Sequence, residues 1–200
     1  MSLKKFERRQ FLASTAAFGA VAASGLGAQA AANNGLPEAF QPVEVRLKAD
    51  LPAGEIHVIP DTFKLYWTLE KRYAIRYTVG IGRPGLYHPG EFTVGRKAKW
   101  PSWTPTPAMI KRNPAYEQWK DGMPGGPNNP LGARALYLYD AAGRDTYLRI
   151  HGTNLPRTIG VAVSNGCARL INEQVIELYD KVPVGTRVVL YDKGERPKMR

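Results

Sequence analysis

The chain has 200 residues, 44% of them hydrophobic, which is enough for one domain with a closed core, and no internal repeat or second module is visible. Its single cysteine excludes an intramolecular disulfide. The formal charge of +11 suits acidic partners, but the basic residues are scattered singly, without a basic helix or a stacked aromatic motif, which argues against nucleic acid.

The first element is an export segment. Lys4, Lys5, Arg8 and Arg9 form a basic region, Phe11 to Gly27 an Ala/Gly-rich apolar stretch, and Ala28-Gln29-Ala30 a small-residue cleavage site. The run Arg8-Arg9-Gln10-Phe11-Leu12 resembles a twin-arginine signal, although Glu7 stands where that signal more often has serine or threonine, so the general secretory route is the alternative. The apolar stretch is shorter and less apolar than the ~20 residues of a spanning helix, so no stable transmembrane anchor is expected. Cleavage would leave a net charge of +8. The expected division is a signal peptide over 1–30, a linker or edge segment over 31–54, one main domain over 55–192 and a basic tail over 193–200.

Short alternating runs predict strands at His57 to Ile59, Lys64 to Thr68, Tyr73 to Val79, Phe92 to Gly95, Ala135 to Tyr139, Tyr147 to His151, Val161 to Val163 and Arg187 to Tyr191, with a hairpin turn at Leu69 to Arg72. Between Lys97 and Pro130, dense proline and glycine predict a long irregular segment that shapes or covers a cleft, with Trp100, Trp103 and Trp119 as groove residues or loop anchors. One helix is expected over Glu173 to Lys181, with Asn172 as its N-cap and Val175, Leu178, Tyr179 and Val182 at helical spacing. The fold class is therefore mainly β, with a short helix after the cysteine.

The chemistry is concentrated in His151-Gly152-Thr153 and Ser164-Asn165-Gly166-Cys167-Ala168-Arg169. A thiolate attacks and a thiol does not, so a cysteine near pKa ~8.5 needs a base or a positive neighbour to react at neutral pH. Alternation places Tyr147, Arg149 and His151 on one strand face and Leu148 and Ile150 on the other. A strand, a short return and a second strand then bring His151 towards Cys167. Lone cysteines are commonly inert packing, but a small polar Gly-Cys-Ala-Arg loop is a poor place to bury one. Arg169 is a candidate for holding a substrate carboxylate or favouring the thiolate, and otherwise an ordinary ion-pair residue. Ser164 is a candidate binding group or a turn former. In an oxidising compartment an unpaired thiol is reactive or intermolecular.

The His-Gly-Thr and Ser-x-Gly-Cys-x-Arg elements resemble the signature of the YkuD-domain L,D-transpeptidases, in their ErfK/YbiS-like branch. Pro89-Gly90-Glu91-Phe92-Thr93-Val94-Gly95, Pro101-Ser102-Trp103-Thr104-Pro105, and the run from Gly122 to Pro127 followed by Asn129 to Leu136 are similar to further family segments. Together these resemblances extend from about Ile56 to Tyr191. They imply a β-sandwich catalytic domain and a peptidoglycan substrate. Cys167 would be the nucleophile and His151 the general base and acid, oriented by the backbone carbonyl of Gly152. Gly166, Asn165, Ser164 and Arg169 would form the oxyanion hole and substrate contacts. The implied reaction is attack on the residue-3 carbonyl of a tetrapeptide stem, release of D-alanine and transfer from a thioester to an amine, giving a 3-3 cross-link in the periplasm. Acylation by carbapenems is implied with it, and no metal or organic cofactor is. The partners are donor and acceptor stem peptides. The alternatives are an L,D-carboxypeptidase, attachment of an outer-membrane lipoprotein, and a non-catalytic cell-wall binding module. Two positions depart from the pattern: Asn165, where many relatives have histidine, and His88, where threonine is more usual. His88 reads as a solvated turn residue.

Overall fold

The computed structural model describes residues 37–195. The export segment expected over 1–30 and the last five residues of the basic tail lie outside them. The strands are β1 (Val43–Arg46), β2 (Ile56–Ile59), β3 (Lys64–Leu69), β4 (Tyr73–Thr78), β5 (Ile81–Gly82), β6 (Gly90–Lys99), β7 (Arg134–Tyr139), β8 (Asp145–His151), β9 (Ala162–Ser164), β10 (Ala168–Arg169) and β11 (Arg187–Leu190). Two α-helices accompany them, α1 (Pro107–Arg112) and α2 (Asn172–Lys181). The class is mainly β, as expected.

Nine strands form one sheet in the order β1-β4-β3-β2-β11-β6-β7-β8-β10, while β5 and β9 pair separately. Alternation decides which side chains meet. Ile56 and Val58 of β2, Leu65 and Trp67 of β3, and Val188 and Leu190 of β11 enter the same core as Leu136 and Leu138 of β7 and Leu148 and Ile150 of β8. The two halves of the sheet thus close over one core, and Val175 and Leu178 of α2 and Val182 just beyond it fill the space between them. Ile59, Tyr66 and Ala74 face the other way, into a smaller cluster with Val45 and Leu47 of the edge segment. Removing a side chain such as Leu136, which is fully buried, would cost about 2–5 kcal/mol.

Two expectations need correction. Asn172 begins α2 but does not cap it: Ile171 holds the cap position without a side-chain bond, and Asn172 Oδ1 accepts the Ala133 N–H at 2.9 Å instead. That bond ties the helix to the segment entering β7, so tertiary pairing displaces the local cap. The expected irregular segment is partly regular. β6 runs on to Lys99, and α1 and a 3-10 turn at Pro114–Trp119 follow. Thr106 accepts the Met109 N–H and Asn113 the Ala115 N–H, each directly before a proline, so two Ncap-Pro pairs start the turns. Reciprocal backbone bonds between Trp103 and Met123 (2.9 and 2.7 Å) close this stretch into a lobe. Past Gly95, where the expected strand ended, β6 does not simply alternate, which would have put Arg96 on the core side with Val94. A bulge at Gly95 shifts the register between Val94 and Arg96 and turns Arg96 to the opposite face. A Cβ at Gly95 would overlap the Tyr139 ring, so the bulge needs glycine.

Candidate active site

The site is built on the last strands of the sheet. β10 runs parallel to β8 with Ala168 opposite Ile150 and Arg169 opposite His151, which brings Cys167, one residue earlier, level with Arg149. β8 itself carries an irregularity here. Tyr137 pairs with Arg149 but Tyr139 pairs with Asp145, so β8 has two extra residues, and Tyr147 takes them up at φ 60°. One carboxylate stabilises this turn: Asp145 accepts the Tyr147 N–H at 2.8 Å and grips the Arg149 guanidinium at 2.6 and 2.8 Å. As a result the Tyr147 carbonyl lies 3.9 Å from Cys167 Sγ, and the Arg149 N–H faces the sulfur.

His151 ends β8 and is 5% exposed. Its Nδ1 lies 2.6 Å from the Gly152 carbonyl oxygen, the contact expected of that glycine. A carbonyl can only accept, so Nδ1 carries the proton and Nε2 has the free lone pair. Burial pushes the imidazole down to about 3, with Arg169 and Arg149 acting in the same direction and the Gly152 carbonyl against them. Burial likewise pushes the Cys167 thiol up, opposed by the Arg149 N–H and the Arg149 and Arg169 charges. Both groups rest neutral. Sγ makes its hydrogen bond to Tyr147 and not to His151, although the two side chains line the same cavity.

The loop between them is braced from within. Ser164 Oγ donates to the Cys167 carbonyl at 2.7 Å and accepts the Gly166 N–H at 3.2 Å. Ser164 thus holds the loop, and the Gly166 N–H is engaged inside it. Gly166 has φ 127°, and a Cβ there would come 2.9 Å from the Leu86 carbonyl oxygen. Asn165 Oδ1 accepts from Arg112 Nη2 at 3.2 Å, linking the loop to α1. Arg169 is buried beneath the cleft. Its guanidinium reaches the Thr158 carbonyl at 3.3 Å, its backbone pairs with Gly80, and its Nε has no hydrogen-bond partner.

Two cavities meet at the thiol. The first, about 450 Å³, is lined by Arg96, Lys99, Trp100, Tyr137, Tyr147 and Arg149. The second, about 320 Å³, is lined by Tyr116, His151, Thr153, Ser164, Asn165 and Arg169. Trp103, Met109, Leu131 and Cys167 line both, so the lobe carrying α1 crosses the cleft between them. Trp103 stacks edge-on against Tyr116 at 5.1 Å, while Trp119 lines neither cavity. Among the described residues no three His, Cys, Asp or Glu side chains gather as metal ligands, and His88 is exposed.

Four contributors to the site leave little or no signal in the sequence. Asp145 and the Tyr147 turn were hidden inside a strand pattern, and the Asx contact two residues apart is the only local sign of them. Arg112 meets Asn165 across 53 positions and leaves no sequence signal. Asn129 is fully buried and braces the end of the lobe ahead of β7, donating to the Met123 and Pro124 carbonyls (3.2 and 3.0 Å) and accepting the Leu131 N–H (2.9 Å).

Residues 53–190 match the YkuD L,D-transpeptidase catalytic domain. The probable L,D-transpeptidase YbiS of Escherichia coli is 45% identical over 118 residues, covering 58% of this chain and 37% of that protein. The chain therefore spans little more than a third of that relative's length. A solved Brucella melitensis protein, described as a probable carnitine operon oxidoreductase caia, is 45% identical with a TM-score of 0.54 over 78% of this chain and 97% of its own. L,D-transpeptidase 3 from Mycobacterium tuberculosis has a TM-score of 0.52 at 16% identity, over 70% of this chain and 62% of its own, a likeness of fold. Among the described residues no helix is long and apolar enough to cross a membrane. The matched span holds every strand from β2 to β11 together with the cleft that His151 and Cys167 share: the chain belongs to the family of YkuD L,D-transpeptidase catalytic domains.

Proposed function

We propose that this protein is an exported cysteine acyltransferase that cross-links peptidoglycan stem peptides in the periplasm. The observation that carries the reading is the held imidazole: Nδ1 is fixed by the Gly152 carbonyl while the ring opens on the cavity that also contains the thiol. The Cys167 proton passes to His151 Nε2 as sulfur attacks the residue-3 carbonyl of a tetrapeptide stem. The tetrahedral oxyanion is met by the Cys167 N–H and the Asn165 side-chain amide. Collapse breaks the peptide bond, and the imidazolium gives its proton to the departing D-alanine amine. A thioester remains. A stem amine then attacks the thioester carbonyl and loses its proton to His151, and the thiolate leaves and is reprotonated. The two Arg charges near the sulfur favour its transient anion.

The test is intact mass after incubation with a meropenem-like carbapenem, beside Cys167→Ala. An adduct on the wild type alone supports the nucleophile. Incubation with tetrapeptide stems, with and without an added amine acceptor, then separates cross-linking from hydrolysis. A wild type with a reduced thiol and neither adduct nor released D-alanine would overturn the reading in favour of a binding module.

A further inference from the structure

The first cavity has a cationic wall with an unusual construction. Arg96 on β6 is the cross-strand partner of Tyr137 on β7, and Tyr137 is the partner of Arg149 on β8. Both guanidiniums stack on the Tyr137 ring, at 3.5 Å and 4.2 Å from its centroid. Two cations this close to one centroid must take opposite faces. The Arg149 guanidinium is occupied by Asp145, whereas Arg96, and Lys99 three residues on, have no carboxylate partner among the described residues. Neither aspartate nor glutamate lines this cavity. Arg96 is therefore an oriented fork of donors, pre-set by stacking and open on its edge.

The chemistry of transfer decides what enters this side. His151 lines the second cavity and not the first. The departing amine takes its proton from His151 and the incoming amine gives its proton to His151, so both must occupy the second cavity in turn. The acyl part of the donor stays on sulfur through both steps and must extend the other way.

Resting on the transpeptidase reading above, we propose that the first cavity is the subsite for the acyl-donor stem and that Arg96, aided by Lys99, binds a free carboxylate of that stem upstream of the acylated carbonyl. Arg96, Tyr137, Arg149 and Cys167 lie on successive strands or strand entries, about 14 Å from end to end at three sheet spacings. Because the Arg96 guanidinium lies over the Tyr137 ring, one strand nearer, about two spacings or ~10 Å remain to the sulfur, and at ~3.3 Å per extended residue the recognised carboxylate lies within the two residues that precede the acylated one. Trp100 and Tyr147, exposed by 46% and 71%, give the stem's apolar atoms a surface to cover.

The probes are a tetrapeptide stem with free upstream carboxylates and the same stem with them converted to carboxamides. D-alanine release in the donor step and transfer of the preformed thioester to an amine are timed separately for wild type, Arg96→Gln and Arg96→Gln/Lys99→Gln. The wild type should prefer the free carboxylate by about five- to ten-fold in donor acylation. The double variant should lose that preference, with the rate of thioester transfer held within about two-fold. A preference that survives the double variant, or a loss confined to the transfer step, overturns the subsite and leaves the transpeptidase reading standing. Failure of the wild type to release D-alanine from either stem overturns both.

Discussion

Asp145 holds both ends of the strained turn in β8, the Tyr147 N–H at 2.8 Å and the Arg149 guanidinium at 2.6 Å. Because that turn points the Tyr147 carbonyl and the Arg149 N–H at Cys167, Asp145 positions the thiol without lining either cavity. Asp145→Ala should slow acylation by a carbapenem about ten-fold and cost about 1–3 kcal/mol of stability, since it removes hydrogen bonds to a charged group and to a backbone N–H at a positive φ. Asp145→Asn keeps the acceptor for Tyr147 and should recover much of the stability but less of the rate. Chemical denaturation and stopped-flow acylation measure the two effects, and equal recovery of both would show that Asp145 acts on the fold alone.

The resting pair should behave as neutral thiol and neutral imidazole. Burial raises Cys167 and lowers His151 to about 3, so neither group carries charge near pH 7. Iodoacetamide alkylation should accelerate with pH through a midpoint above the ordinary thiol value of ~8.5. His151→Asn should leave that midpoint almost unchanged, because no imidazolium is there to be lost. A midpoint below neutrality that His151→Asn abolishes would establish a resting ion pair instead.

The same buried imidazole makes the fold acid-sensitive. His57 is also lowered, chiefly by burial, against the opposing pull of Glu55. Below the ordinary histidine value of ~6.5 the unfolded chain binds protons that the folded one refuses, so stability falls as pH falls. The His151 contribution is fully present above ~6.5 and drains away between there and about 3. Denaturant midpoints should therefore drop between pH 7 and pH 5 in the wild type, and His151→Gln should flatten that drop. An unchanged slope in the variant would place the acid sensitivity elsewhere.

Ser164 is a brace, and its removal should separate loop order from thiol reactivity. Ser164→Ala frees the Cys167 carbonyl and the Gly166 N–H at once. We expect a loss of about 1–3 kcal/mol in stability and about ten-fold in carbapenem acylation, with simple alkylation of Cys167 within about three-fold of wild type. Equal loss in both reactions would mean that the brace acts through the sulfur itself.

Most of this site was legible because its residues come in local runs. The alternation of Leu148 to His151 and the Gly-Cys-Ala-Arg loop each announce their own geometry, and the resemblance to the family joins them. The cationic wall was illegible for the opposite reason. Arg96 shares parity with core-facing Val94, and only a bulge, which a single Gly95 does not announce, moves it to the cleft. The lobe over the cleft carries no strand periodicity, and its regular turns are marked in the sequence only by the capping pairs Thr106-Pro107 and Asn113-Pro114. Asn172 failed differently: its sequence position is that of a cap, and a partner 39 residues away took the side chain.

That long-range contact yields a final expectation. A Cβ on Gly152 would collide with Asn172 Oδ1 and come 3.0 Å from the Ala133 N, the two atoms whose hydrogen bond ties α2 to β7. Gly152→Ala should cost about 1–3 kcal/mol as overpacking and move the carbonyl that holds His151 Nδ1, slowing acylation more than alkylation. Asn172→Ala alone loses the Ala133 bond, about 1 kcal/mol, but clears the space. If the clash is the cause, the two substitutions are non-additive: Gly152→Ala should be at least 1 kcal/mol milder in the Asn172→Ala background. Strict additivity in a denaturation double-mutant cycle would show that Gly152 is required for its backbone alone.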